Sequence, residues 1–178
     1  MKKIIVTIVC LVFSSVMFSQ KMMTRTGEIK FDATVPGAMD PVIATNTTAS
    51  SIFDKTTGEL VVQGMVKSFK FKSPLMEEHF NENYMESDKL PKTSFKGKIV
   101  GYDGKAGSYE VDGDLTIHGV TNKVKTKVAV TNGGGKVSIS GTFTIKLNDY
   151  KLEVPAMAKK TLAETAKISI KLELENKQ

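Results

Sequence analysis

The stretch VDGDLTIHGVTNKVKTKVAV, residues 111–130, decides how the rest of the chain is read. It mixes a histidine, two aspartates and a run of lysines, a composition that a catalytic or metal site would share. Its spacing favours a hairpin. Val111, Leu115 and Ile117 recur at even spacing before the turn, and Val124, Val128 and Val130 after it, the period of strands with one buried face. Lys123, Lys125 and Lys127 fall on the opposite phase and form the solvated face. Between the runs stands HGVT, where Gly119 is free to take a positive φ, so His118 reads as a turn residue. A lone turn histidine is a poor basis for metal or acid–base chemistry. Asp112 and Asp114 share one side of a strand, and an exposed pair with no cleft is equally weak support.

The same period extends outward in both directions. Apolar residues recur at Ile29, Phe31 and Ala33; at Leu60, Val62 and Val66; at Val137, Ile139, Phe143 and Ile145; and at Ile168, Ile170, Leu172 and Leu174. With TSFKGKIVGYD (93–103) and a threonine-rich stretch over 42–53, about eight strands are predicted, an all-β sandwich or barrel. Turn signals DKTTGE, DGKAG and TNGGGK separate them, which implies a meander of antiparallel neighbours. The small, polar TNTTASS (45–51) reads as a weakly covered edge. The apolar phase shifts between Val66 and Phe69, which predicts a bulge near Lys67 or Ser68. The exception to the β pattern is SPLMEEHFNENYMESDKLP (73–91): Pro74 at a first helical turn, then Leu75, Met76, His79, Phe80 and Tyr84, predict a short amphipathic helix over 74–86. That helix either plugs a barrel end or packs on the sheet.

The amino terminus, MKKIIVTIVCLVFSSVMFSQ, reads as a secretory signal peptide cleaved near Ser19, which makes the protein periplasmic or secreted and leaves residues 20–178 as a single domain. Cys10 lies too deep in the apolar run, behind Val9, to serve as a lipidation site. It leaves with the signal, so neither a disulfide nor a thiol nucleophile is expected. Losing Lys2 and Lys3 from 25 basic residues leaves 23 against 19 acidic ones, spread along the chain, and Arg25 is the one arginine. That pattern excludes a nucleic-acid surface. His79, flanked by Glu77, Glu78 and Glu82, lacks zinc-ligand spacing, and no nucleophile elbow, phosphate loop or calcium loop occurs. Neither catalysis nor a metal is expected. Asn46 fits a glycosylation pattern to which no role is given.

At this point the order of pieces resembles the YceI-like family of bacterial polyisoprenoid-binding proteins. GDLTIHGVTNKV (113–124) is similar to the family's strand, His-Gly-Val-Thr turn and return strand. HFNENYMESDKLPKTSFKGKIV (79–100) is similar to its helix, Asp and Pro, then a strand opening on Thr-x-Phe. FTIKLNDYKLEVP followed by AKISIKLELE is similar to its last two strands. The likeness covers roughly Leu60 to Glu175. The chain departs from it in its amino-terminal strands, at Ser73 and Pro74 where the family has Arg-Asp, and around Asn148 where an arginine is common; these leave the ligand's head group open.

The resemblance implies an eight-stranded antiparallel barrel of lipocalin-like shape, with a helix near the mouth of an apolar tunnel for a long-chain isoprenoid lipid or a quinone-like ligand. It also implies no stable membrane insertion, and it is compatible with a homodimer. The residues expected to line or lid that tunnel are Leu60, Val62, Phe69, Phe71, Phe80, Tyr84, Phe95, Ile99, Leu115, Ile117, Phe143 and Ile145. Two other functions remain open on the sequence: an envelope interaction module with a fully packed barrel, and a hydrolytic enzyme with His79 or the aspartate pair turned inward. Whether the interior is hollow separates them.

Overall fold

The hairpin of residues 111–130 lies within β6 (Gly107–Ile117) and β7 (Val120–Gly133) of a computed structural model that describes residues 21–176. Ile117 pairs with Val120, leaving His118 and Gly119 as turn residues at φ 49° and 72°. Positive φ at both central positions gives the turn whose twist matches two antiparallel strands. The segment read as a signal peptide, with Cys10 and Ser19, lies outside the described residues.

Around this hairpin run β1 (Lys21–Thr34), β2 (Ile43–Asp54), β3 (Glu59–Met65), the two-residue β4 (Lys70–Phe71), β5 (Lys92–Ile99), β8 (Lys136–Lys146) and β9 (Leu162–Asn176). Every pairing is antiparallel. The order β1-β9-β8-β7-β6-β5-β3-β2 returns to β1 through the β1–β2 ladder, so eight strands close a barrel. Closure leaves no edge for TNTTASS: β2 pairs with β1 on one side and with β3 and β4 on the other. Asn46 is wholly buried there, donating to the Met65 carbonyl at 3.1 Å and accepting from the Thr48 amide at 2.8 Å, so it offers no acceptor for a glycan.

The phase shift after Val66 is a complete 3₁₀ turn, Val66–Ser68, and not the bulge expected from the sequence. It breaks the strand, and β4 then pairs with β2. The helix starts at α1 (Pro74–His79), where the Ser73 hydroxyl accepts from the Met76 amide, and it continues as a π-helical turn over Phe80–Tyr84. It ends two residues short of the expected 86, because Glu86 takes φ 43°, outside the helical region.

The two ends of the barrel differ. At the end where β1 starts and β9 finishes, with the 55–58, 100–106 and 134–135 connections, Phe53, Ile99, Ile139, Leu172 and Leu174 are fully buried. Tyr102 stacks edge-on against both Phe53 and Tyr109, at 5.2 and 5.4 Å between ring centroids. That end is packed. At the other end lie the 35–42 connection, the helix, the β6–β7 turn and the 147–161 loop, and there the interior is open.

Candidate functional site

The open half encloses an apolar cavity of about 420 Å³, within the range of small-molecule sites. No carboxylate or ammonium borders it among the described residues. Its walls come from inward positions of the strands, its floor from Leu60, Val111 and Val128, and its mouth from the helix and the 147–161 loop. Leu60, Val62, Phe69, Phe71, Phe80, Tyr84, Phe95, Leu115, Ile117, Phe143 and Ile145 all border it. Ile99 does not. Its side chain faces inward, but it sits in the packed half and is fully buried, with its amide bonded to the Gly58 carbonyl at 2.8 Å. Alternation tells which face a residue takes and nothing about depth along the barrel axis.

A pair of glycines shapes one wall. Gly97 and Gly113 oppose each other on β5 and β6, and Phe95 lays its ring over them. A Cβ on either would stand 2.6 Å from Phe95 Cζ, and one on Gly113 would stand 2.5 Å from the Gly97 Cα. The ring therefore lies flat on bare backbone and leaves the lumen free.

Over the mouth, Phe80 meets Phe31, Phe69 and Phe71 at centroid distances of 6.0, 5.9 and 5.0 Å, all tilted. These geometries are favourable for aromatic pairs. The helix is thus held to the barrel rim from inside, as a plug. Outside, Glu77 accepts from Lys70 Nζ and from the Phe71 amide, fastening α1 to β4. The Lys70 hydrogen bond foremost holds the Glu77 carboxyl below the ordinary carboxylate range; burial opposes it, and the Phe71 N–H and the Lys70 charge add to the lowering.

Of the residues with acid–base chemistry, His79 borders the cavity at its mouth, apart from the others. Asp112 and Asp114 point outward, each between two lysines of neighbouring strands, and pair with Lys125 at 3.4 Å and Lys123 at 3.0 Å. His118 is more than a turn residue: Nδ1 lies 3.4 Å from the Tyr150 carbonyl and Nε2 lies 3.3 Å from Glu86, joining the hairpin tip to the helix exit and the 147–161 loop. No cluster of three metal-ligating side chains occurs among the described residues.

Further residues line the cavity. Ile29, Phe31, Ile168 and Ile170 carry the same period as the residues chosen, with Phe31 opposite Ile168 and Ile168 opposite Phe143. Leu152 and Thr161 sit in a loop that has no period to read. Thr126, which borders the cavity from β7, looks like an ordinary strand threonine.

The model of the YceI-like domain matches residues 13–174. The chain belongs to the YceI-like family. A UPF0312 protein of Pseudomonas savastanoi pv. phaseolicola is 33% identical over 89 residues, 46% of this chain and 45% of its own length, so the chain spans less than half the length of that relative. Among solved structures, a polyisoprenoid-binding domain from Saccharophagus degradans implicated in plant cell wall breakdown shares the fold at TM-score 0.76 and 14% identity, over 89% of this chain and 99% of its own. Burkholderia cenocepacia BcnA matches at TM-score 0.69 and 19% identity, over 83% and 95% of the two chains. The barrel fold is thus common to all three structures. No helix of the described residues is long and apolar enough to cross a membrane.

Proposed function

We propose that the protein is a non-catalytic carrier or sequestering protein for a polyisoprenoid or similar long-chain lipid, working in the periplasm or outside the cell. The observation that carries this reading is a half-hollow barrel whose cavity has a mostly apolar wall, no carboxylate or ammonium among the described residues, and an aromatic-anchored helix across its mouth. Each ligand methylene moved from water into such a wall contributes ~0.8 kcal/mol. Ten buried carbons supply roughly 8 kcal/mol before the cost of association, so an apolar chain binds with few polar contacts. The printed description of the Saccharophagus degradans relative supports the ligand class. Lys2 and Lys3 ahead of an apolar run support export.

The open interior supports this reading over a packed interaction module; of the groups an enzyme would use, Asp112 and Asp114 point outward to lysines, and His79 borders the cavity with no carboxylate beside it in the lining. The test is to express the full chain in a bacterial host, fractionate the cells, and extract lipid from the purified protein. A shortened mature chain in the periplasm or medium, carrying isoprenoid lipid, is the expected result. A full-length cytoplasmic chain would overturn the location, and a lipid-free protein that also binds no added polyprenol or quinone would overturn the function.

A further inference from the structure

The rim of the barrel mouth carries apolar side chains that nothing in the chain covers. Met39 is 97% exposed in the 35–42 connection, Met157 is 95% exposed in the 147–161 loop, and Leu75 is 59% exposed in the first turn of α1. The next most exposed large apolar residues among those described, Ile52 and Val100, reach 48% and lie on the barrel wall and at the packed end. The two loops are joined, since the Val35 amide donates to the Thr161 carbonyl at 3.2 Å. Leu75, Val42 and Ala158 also border the cavity, so its apolar wall continues onto the rim, whereas Met39 and Met157 lie outside the lining.

The backbone of these loops has few donors left for water. Pro36, Pro41 and Pro155, three of the five prolines in the chain, have no N–H. The Ala38 amide donates to the Val35 carbonyl at 3.0 Å, the Val42 amide to Thr34 Oγ1 at 3.0 Å and the Ala158 amide to the Pro155 carbonyl at 2.9 Å. A loop so provided loses little hydrogen bonding when it enters an apolar layer, where each unsatisfied group is costly. Charge at the rim is sparse and mixed. Asp40 stands with Lys159 and Lys160 in the loops, Lys159 is paired with Glu164 at 2.9 Å, and Glu78 and Glu82 are exposed on the helix. Those carboxylates oppose a strongly anionic surface, while the mixed set complements one that presents both signs. A protein partner takes a broad, closely matched face. Three side chains projecting from three separate segments suit a soft layer that they can enter.

We propose that the mouth docks reversibly on the surface of a zwitterionic phospholipid bilayer, with Met39, Met157 and Leu75 entering among the acyl chains, so that an isoprenoid passes between membrane and cavity without crossing water. The inference rests on the lipid-binding reading above. Methionine suits the task, because its unbranched and polarizable side chain adapts to irregular apolar surroundings. Anchoring of this kind lies on the membrane and spans nothing.

The test compares the protein with a double variant, Met39→Ser and Met157→Ser, chosen because neither residue borders the cavity. Flotation with phosphatidylcholine vesicles reads docking, titration with geranylgeraniol in the absence of vesicles reads lipid binding, and sedimentation velocity reads self-association. The parent should float with the vesicles, and the variant should bind them about a hundredfold more weakly, the loss expected when two methionines no longer enter an apolar layer. Melting temperature and geranylgeraniol affinity should be the same in both, since these side chains stand in water in the free protein. Adding phosphatidylglycerol should not strengthen docking. A parent that binds geranylgeraniol but ignores vesicles would overturn the docking and leave the lipid reading intact. Equal flotation of parent and variant would overturn the surface assigned to it. Docking that needs phosphatidylglycerol and is abolished by salt would overturn apolar entry in favour of adsorption through lysines. A parent dimer that the variant fails to form, without flotation, would make the rim a contact between copies of the chain and overturn the bilayer. Failure of geranylgeraniol to bind the parent would overturn the underlying reading and the docking proposal with it.

Discussion

Substituting Thr126 by phenylalanine separates a hollow barrel from a packed one. Thr126 points inward from β7, opposite Val111, and borders the cavity; its hydroxyl makes no hydrogen bond among the described residues. Phenylalanine adds about four side-chain heavy atoms, and in a hollow barrel they fill empty space. The ring then takes the room of about four ligand carbons, which at ~0.8 kcal/mol each lowers ligand affinity by ~3 kcal/mol, roughly two-hundredfold. The unliganded protein should not suffer, because an apolar ring replaces an unsatisfied hydroxyl in an apolar space. In a packed interior the same change would force neighbours off their rotamers and cost about 1–3 kcal/mol. For a chain of this size that is a fall in Tm of roughly 2–12 °C. Scanning fluorimetry of the lipid-free protein and titration with a long-chain polyprenol read the two effects separately. A large fall in Tm with unchanged lipid affinity would refute the cavity and the reasoning built on it.

Further outcomes follow from the same geometry. Phe80→Ala removes the centre of the aromatic cluster at the mouth; it should cost about 2–3 kcal/mol in urea unfolding and speed lipid dissociation, measured by stopped flow, at least about tenfold. Gly113→Ala places a Cβ against the Gly97 backbone and the Phe95 ring and should cost at least about 2 kcal/mol by the same unfolding assay, because backbone atoms cannot swing aside. The helix should loosen in acid. Glu77 has a lowered folded pKa, so its fastening is fully present above the ordinary carboxylate range and is lost as pH falls through the folded value. Hydrogen exchange at the Phe71 amide should quicken over that descent while amides of the β6–β7 ladder stay protected. Glu77→Gln should abolish the pH step.

The strands were legible because the barrel obeys one local rule, an inward apolar residue at every second position. That rule located Leu115, Ile117, Phe143 and Ile145, and it also contained Phe31 and Ile168, whose importance only closure of β1 against β9 makes visible. Depth was not legible. Ile99 and Phe95 have the same phase, yet one fills the packed end and the other lines the lumen, a difference set by the Phe53, Tyr102 and Tyr109 stack and by the bare backbone of Gly97 and Gly113. The edge expected at TNTTASS was lost for the same reason, since whether β2 has two neighbours depends on residues far away in the chain. His118 was read as a turn residue and is one. Its contacts with Glu86 and Tyr150 join residues 32 positions away on either side, and no local pattern announces them.

Native mass spectrometry of the purified protein, followed by extraction and identification of what dissociates from it, tests the central claim most directly. A folded chain with one long-chain isoprenoid bound, or one that takes up a single such lipid on incubation with polyprenols and quinones, is the expected result. A lipid-free mass that none of these ligands changes would contradict it.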